Sequence, residues 1–322
     1  MKKTFALILG FLATISLVVT GPQRVATAQS QTGDPALAHF LQSHAPRGSH
    51  NLAAFHLDSS GTTFAGLGAD KDTEFEIGSI TKTFNAELLR QAIERGEVRL
   101  DTKVKEIVDT GEAPIGDVRL EELANHTSGL PRNPGLDPLT LVWEVNPYAK
   151  VSDENILAMS KRSKLQKRGE RNYSNLGAAL LGQLLAIKAG RAWPDMVQKD
   201  ILDPLGMTQT FVATIDTTKQ SPHGLNNKGQ RAANWEMQGY APAGAIRSTA
   251  SDMEKFAKHV QSTGLPGYAW VHDEVATWHN GATGGYASML AFSPDGKAAA
   301  FVVTDSSARV TKLGKEMLKW SK

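Results

Sequence analysis

Three short stretches hold residue types that can do acyl-transfer chemistry. The first is Ser79-Ile80-Thr81-Lys82, directly after Gly78. On a helix, Ser and Lys at i and i+3 share one face, so hydroxyl and amine can touch. The positive end of the helix dipole disfavours an ammonium, and burial acts the same way. A neutral Lys82 can take the proton of Ser79 and make it a nucleophile. The bare match is a weak signal, because a Ser-x-x-Lys arises about once by chance in a chain of this size. The second stretch is Tyr173-Ser174-Asn175. A phenol beside an ammonium has its pKa lowered, so Tyr173 is a candidate base or acid. Asn175 offers a donor and an acceptor suited to an amide. The competing reading makes Asn175 a helix cap and Tyr173 a core aromatic. The third stretch is Trp278-His279-Asn280-Gly281-Ala282-Thr283-Gly284-Gly285. Its glycines leave the backbone open to a substrate, and a free N–H there can stabilise an oxyanion. Otherwise it is a Gly-rich loop between strands.

The elements around these residues read as follows. Residues 34–41 form a helix with an acidic cap, and 51–58 and 62–67 are strands joined by the turn Asp58-Ser59-Ser60-Gly61. Residues 79–95 form an amphipathic helix with Phe84, Leu88 and Ala92 on one stripe and Gly96 past its end. Helices follow over 152–161 and 175–188, the second stopped by Gly190. Another opens at Trp193-Pro194 and ends near Gly206. Ser251 and Glu254 form a capping box for a helix to about His259. Strands 286–292 and 298–304 flank the hairpin signal Ser293-Pro294-Asp295-Gly296. A last helix covers 310–320. The fold class is therefore mixed α/β of the α+β kind: an antiparallel sheet flanked by helices, built from both chain ends (29–83 and 244–322), with a mostly helical region (84–243) inserted between. A cleft between the two parts is the natural place for a site.

Taken together and in this order, the three stretches resemble the serine β-lactamase and penicillin-binding protein superfamily. Within it the chain is most similar to the group of class C β-lactamases, D-Ala-D-Ala carboxypeptidase B and related esterases. Ser79 and Lys82 match the family's Ser-x-x-Lys, Tyr173 and Asn175 its Tyr-x-Asn, and His279-Asn280-Gly281 its third element. Asn125-His126-Thr127-Ser128-Gly129-Leu130-Pro131 is similar to the family's His-Thr-Ser-Gly-Leu segment and is read as a structural brace. The resemblance implies a β-lactamase/transpeptidase-like fold and an acyl-enzyme on Ser79. Lys82 and Tyr173 would shuttle the proton, and Asn175 would hold the substrate amide. The N–H groups of Ser79 and Ala282 would form the oxyanion hole beside Gly281, and His279 would line the substrate side. D-Ala-D-Ala-type peptides, β-lactams or related amides and esters are the implied substrates. A carboxylesterase or a catalytically silent binder is the alternative.

Two departures qualify the resemblance. His279 stands where β-lactamases commonly carry Lys. A histidine of ordinary pKa, about 6.5, gives weaker and pH-dependent carboxylate recognition. Arg247 is a candidate for the missing charge. The stretch between Ser262 and Trp278 is also short for the family, which implies a more open cleft and a bulkier substrate.

The remaining sequence narrows the alternatives. Lys2 and Lys3, the apolar run from Phe5 to Val19 and the Ala26-Thr27-Ala28 triplet describe a secretory signal peptide over residues 1–28, with an uncleaved anchor as the alternative. The expectation is an exported, soluble protein. Cleavage after Ala28 removes Lys2, Lys3 and Arg24, so 35 basic residues become 32 against 33 acids, a net charge of −1. That balance gives no electrostatic case for nucleic acid or an anionic membrane. The chain has no Cys and no HExxH, so neither a disulfide framework nor a metal site is expected. It also lacks a phosphate-binding glycine loop, so no cofactor is expected. The partner is a small-molecule or peptide substrate. The sequence does not fix the oligomeric state.

Overall fold

The computed structural model describes residues 25–134 and 146–321; the expected signal segment lies outside them up to residue 24. Among the described residues the strands are β1 (Gln31–Gly33), β2 (Leu52–Asp58), β3 (Gly61–Leu67), β4 (Phe75–Glu76), β5 (Phe211–Val212), β6 (Ile246–Ser248), β7 (Val271–His272), β8 (Thr277–Ala282), β9 (Ala287–Phe292) and β10 (Ala299–Thr304). The longer helices are α1 (Pro35–His44), α2 (Thr81–Glu94), α3 (Asp153–Arg162), α4 (Asn175–Ala189), α5 (Ala250–Thr263) and α6 (Thr311–Met317).

Both ends of the chain build the main sheet. Seven strands run in the order β1-β3-β2-β10-β9-β8-β7, every pair antiparallel. Its central strands are buried on both faces, and their period of two sorts residues between two cores. On β2, Ala53, Phe55 and Leu57 face one core, and Leu52 and Ala54 the other. On β10, Phe301 and Val303 join the first core, and Ala300 and Val302 the second. The outer face is covered by Leu37 and Leu41 of α1 with Leu313 and Met317 of α6. The inner face meets α5 and the helical region. There Phe256 of α5 stacks on Phe84 of α2 at 4.1 Å between ring centroids. One core cluster therefore runs from the sheet into α2 and α4 and holds the cleft walls together.

The helix ends follow local chemistry. Asp34 caps α1 by accepting from the N–H groups of Ala36 and Leu37. Gly190, at φ +62°, closes α4 in the left-handed conformation that favours glycine. The helix expected from Trp193 runs to Leu205 with a π-helical turn over Val197–Leu202. Three expectations are corrected. Thr249, not Ser251, caps α5 by accepting from the Asp252 N–H at 3.2 Å. Glu254 instead accepts from the Thr62 hydroxyl at 2.5 Å. The glycine-rich stretch from Trp278 is no loop: up to Ala282 it is strand β8.

Candidate active site

Ser79 sits in a 3₁₀ turn, Gly78–Ile80, that leads straight into α2. The turn is wedged against β8. Gly78 has φ +52°, and a Cβ there would lie 2.7 Å from the Ala282 nitrogen. A Cβ on Gly281 would lie 1.9 Å from the Ile77 carbonyl oxygen. Glycine at both positions is thus a condition for bringing β8 beside Ser79. The Ser288 hydroxyl on β9 donates to the same Ile77 carbonyl at 2.8 Å and pins the turn to the sheet.

The register of β8 settles where its amides point. The Thr283 N–H donates to the Tyr286 carbonyl at 3.0 Å. Alternation in an antiparallel ladder then gives β9 the odd-numbered residues of β8 and turns the Asn280 and Ala282 amides the other way. On that other side β7 pairs only with Thr277 and Trp278, which leaves the edge from His279 to Ala282 uncovered among the described residues. The Ser79 N–H has no acceptor among the described residues either. The Ser79 and Ala282 amides therefore form a pair of free donors at one place, as an oxyanion hole requires.

Ser79 Oγ is 3.0 Å from Lys82 Nζ and 2.8 Å from the Tyr173 hydroxyl. Lys82 Nζ also donates to the Ala243 carbonyl at 2.6 Å. Burial holds the Lys82 pKa well below the usual ammonium range, and the positive Arg132 adds to this. A neutral amine can accept the Ser79 proton while Tyr173 donates to the same oxygen. The expectation of an acidified Tyr173 is corrected: burial pushes its pKa up to about 12. With a pKa near 12, Tyr173 keeps its proton at neutral pH.

Tyr173 is held from behind. His126, buried and at φ +60°, lies against its ring at 4.4 Å between centroids. The Ser174 N–H donates to His126 Nδ1 at 3.3 Å. The His-Thr-Ser-Gly-Leu segment, read as a brace, thus touches the site directly. Ser174 also caps α4, its Oγ accepting from the Gly177 N–H at 2.9 Å. Capping therefore belongs to Ser174, and the Asn175 side chain is free for other partners: the Asn133 side-chain oxygen at 2.8 Å and the Tyr148 hydroxyl at 3.3 Å.

Ser79, Tyr173, Asn175, Gly281 and Ala282 line one cavity of about 420 Å³, with Lys82 bonded just beneath it. Two expected residues fall elsewhere. His279 is buried, 3 % exposed, and absent from the cavity lining; its neighbour Asn280 lines the cavity instead. Its ring nitrogen Nδ1 bonds the Asn280 carbonyl at 2.8 Å, and burial, with Lys82 adding, lowers its pKa to about 3. It stays neutral at physiological pH, so carboxylate recognition titrating near pH 6.5 through His279 has no basis. Arg247 is fully buried and tied to Glu76 at 2.8 Å, to Glu74, and to the Pro222 carbonyl at 3.0 Å, so it supplies no charge to the cleft. Sequence reasoning missed Arg132, Asn133, Tyr148 and Trp235 on the cavity wall. Arg132 and Asn133 directly follow the brace segment, a position that could have flagged them. Nothing local marks Tyr148 or Trp235. No cluster of side chains fit for a metal ion occurs among the described residues.

A mixed fold of this architecture, with Ser79, Lys82 and Tyr173 meeting on one oxygen, is that of the serine β-lactamase and penicillin-binding protein superfamily of hydrolases. A model of the family described as Beta-lactamase matches residues 56–316, and the chain belongs to that family. Penicillin-binding protein 4 of Amycolatopsis lactamdurans is 26% identical over 208 residues, covering 60% of this chain and 52% of that protein. A Beta-lactamase of Psychrobacter immobilis is 29% identical over 189 residues, covering 58% of this chain and 45% of that one. The chain thus matches about half the length of these curated relatives. The fold is similar to that of a β-lactamase/D-alanine carboxypeptidase from Pseudomonas syringae, with TM-score 0.74 at 18% identity, covering 89% of this chain and 99% of that one.

Proposed function

We propose that the protein is an exported hydrolase that works through an acyl-enzyme on Ser79 and acts on D-Ala-D-Ala-type peptides, β-lactams or related amides and esters. The observation that carries this reading is the pair of contacts on Ser79 Oγ: the Lys82 amine nitrogen at 3.0 Å and the Tyr173 hydroxyl at 2.8 Å. Lys82 takes the Ser79 proton as Oγ forms its bond to the substrate carbonyl carbon. The oxyanion sits on the Ser79 and Ala282 amides. As the bond to the leaving group breaks, Tyr173 is placed to protonate it. The Ser79 proton held on Lys82 restores the phenol, so the net transfer is from Ser79 to the leaving group. Asn175 and Asn133 offer donors and acceptors to a substrate amide beside the nucleophile. Water then releases the acyl group along the same path. Export rests on the N-terminal pattern, and cleavage after Ala28 leaves Gln29 two residues ahead of β1.

The test is the intact mass of the mature protein after brief exposure to a penicillin, for wild type and Ser79→Ala. The expected result is one penicillin mass on wild type only, or consumption of the penicillin by wild type only. If neither protein gains mass and the penicillin survives, β-lactam chemistry is excluded. Neutral esters then separate an esterase from a silent binder, because only an esterase loses turnover with Ser79→Ala.

A further inference from the structure

With His279 neutral and Arg247 locked in ion pairs, the cleft takes its charge from elsewhere. Arg132 is the one charged side chain among the described residues that line it. Its backbone is fixed: the Arg132 carbonyl accepts from the Asn175 N–H at 3.0 Å and the Leu176 N–H at 3.3 Å, at the start of α4. Its guanidinium lies 5.1 Å from the centre of the Tyr173 ring. The side chain is exposed and has no carboxylate partner among the described residues. A guanidinium held at a known place without an acid is a ready partner for an oxyanion, because its fork of donors fits a carboxylate.

Arg132 also stands where two cavities meet. The second, of about 900 Å³, shares Arg132, Asn280, Gly281 and Ala282 with the cleft and opens along the uncovered edge of β8 toward α6. Its wall carries five cationic side chains, Arg132 among them, and one carboxylate, Glu316. Lys315 is paired with Asp273 at 2.5 Å and Lys312 with Glu316 at 3.5 Å, which leaves a positive excess on the wall. A groove with that balance favours the anionic part of a ligand.

We propose that Arg132 is the specificity-determining cation of this site: it holds a carboxylate of the substrate at the join of the two cavities, with the rest of the anionic part lying in the groove between β8 and α6. The inference rests on the acyl-transfer reading above and narrows its substrates to those bearing a negative charge near the scissile bond.

Two matched ester pairs test it. Phenyl acetate against 3-acetoxybenzoate places the anion on the leaving group, and 4-nitrophenyl butyrate against 4-nitrophenyl hydrogen glutarate places it on the acyl side. In wild type the ratio of kcat/KM, anionic over neutral, exceeds that of Arg132→Gln by about five- to tenfold in at least one pair, the size of a partly exposed charge pair. Arg132→Lys retains part of the preference, and added salt weakens it. Any effect of the Arg132 charge on Lys82 acts on both members of a pair and cancels in the ratio. A ratio that moves by less than twofold in both pairs overturns the proposal. Because turnover also depends on the acyl-transfer reading, binding is measured separately in Ser79→Ala, following the fluorescence of Trp235 in the cavity wall during titration with 3-acetoxybenzoate. Binding that weakens about fivefold on adding Arg132→Gln supports the anion site even if Ser79 proves not to be the nucleophile. Unchanged binding counts against it.

Discussion

The molecule buries two basic side chains on either side of the Ser79 turn, and it treats them in opposite ways. Arg247 on β6 is fully buried and opposite Glu76 on β4. Burial presses its pKa down, yet Glu76, Tyr286 and Glu74 outweigh that and leave it above the usual value. It is a permanent charge that fastens the small sheet β4-β6-β5. Lys82 is as deeply buried, but its partners are neutral oxygens, Ser79 Oγ and the Ala243 carbonyl. The charge that acts on it is Arg132, of the same sign. Burial alone therefore does not decide whether a basic side chain keeps its charge. What decides is whether a carboxylate is buried with it.

The comparison breaks most sharply under two substitutions. Lys82→Met removes the proposed base, and the acylation rate is expected to fall by about 10³-fold or more. The fold is expected to survive, since a methionine of similar length needs no compensating charge. Arg247→Met leaves Glu76 buried without its cation, with an expected loss of about 3–5 kcal/mol in stability. The fraction that stays folded keeps acylation within about tenfold, an effect passed on only through the turn. Burst amplitude and thermal unfolding on both variants separate the two roles. A stable Arg247→Met protein, or a Lys82→Met protein that still acylates quickly, removes the distinction.

A smaller effect comes from pH. Burial holds the Lys82 pKa down, and the proposed mechanism needs Lys82 unprotonated, so acylation is expected to rise as pH rises through that pKa. Tyr173 must keep its proton, and with a pKa near 12 it does so over the ordinary range. Tyr173→Phe is expected to slow acylation by about 10²-fold while leaving the acid limb in place, since that limb belongs to Lys82. A pre-steady-state pH profile shows whether the limb moves with Tyr173, which would reassign the base.

The residues that meet at Ser79 were legible in the sequence because their spacing is local. Ser79 and Lys82 lie one helical turn apart, and Tyr173 and Asn175 lie at the start of α4. The long strands and helices were legible for the same reason, through periodic apolar positions such as Phe55 and Phe301. Short elements gave no period to read, so β1 and the sheet β4-β6-β5 went unseen. The errors at His279 and Arg247 have a different cause. Which face of β8 turns inward depends on its register with β9, and the partners of Arg247 come from β4 and from Pro222, remote in sequence. The family resemblance raised the question of a charge in the cleft. Only the packing showed that Arg132 stands there.

The smallest expected effect concerns the buried histidines. His279 titrates near 3 and His126 near 2, both held down mainly by burial. In the unfolded chain each takes a proton near pH 6.5. Between pH 3 and 6.5 the unfolded state therefore binds more protons than the folded one, so folding stability falls as the solution is acidified through that window. Each histidine contributes a slope of about 1.4 kcal/mol per pH unit where the difference is complete. His279→Asn keeps a polar side chain next to Asn280 but cannot titrate, so its stability against urea should depend on pH less steeply than that of wild type by one such contribution. The two proteins then converge in relative stability toward acid, with the variant gaining on wild type below pH 6. An unchanged slope would mean that His279 already carries a proton in the folded state, and would return it to the role of a cation beside Lys82 that the burial of its ring argues against.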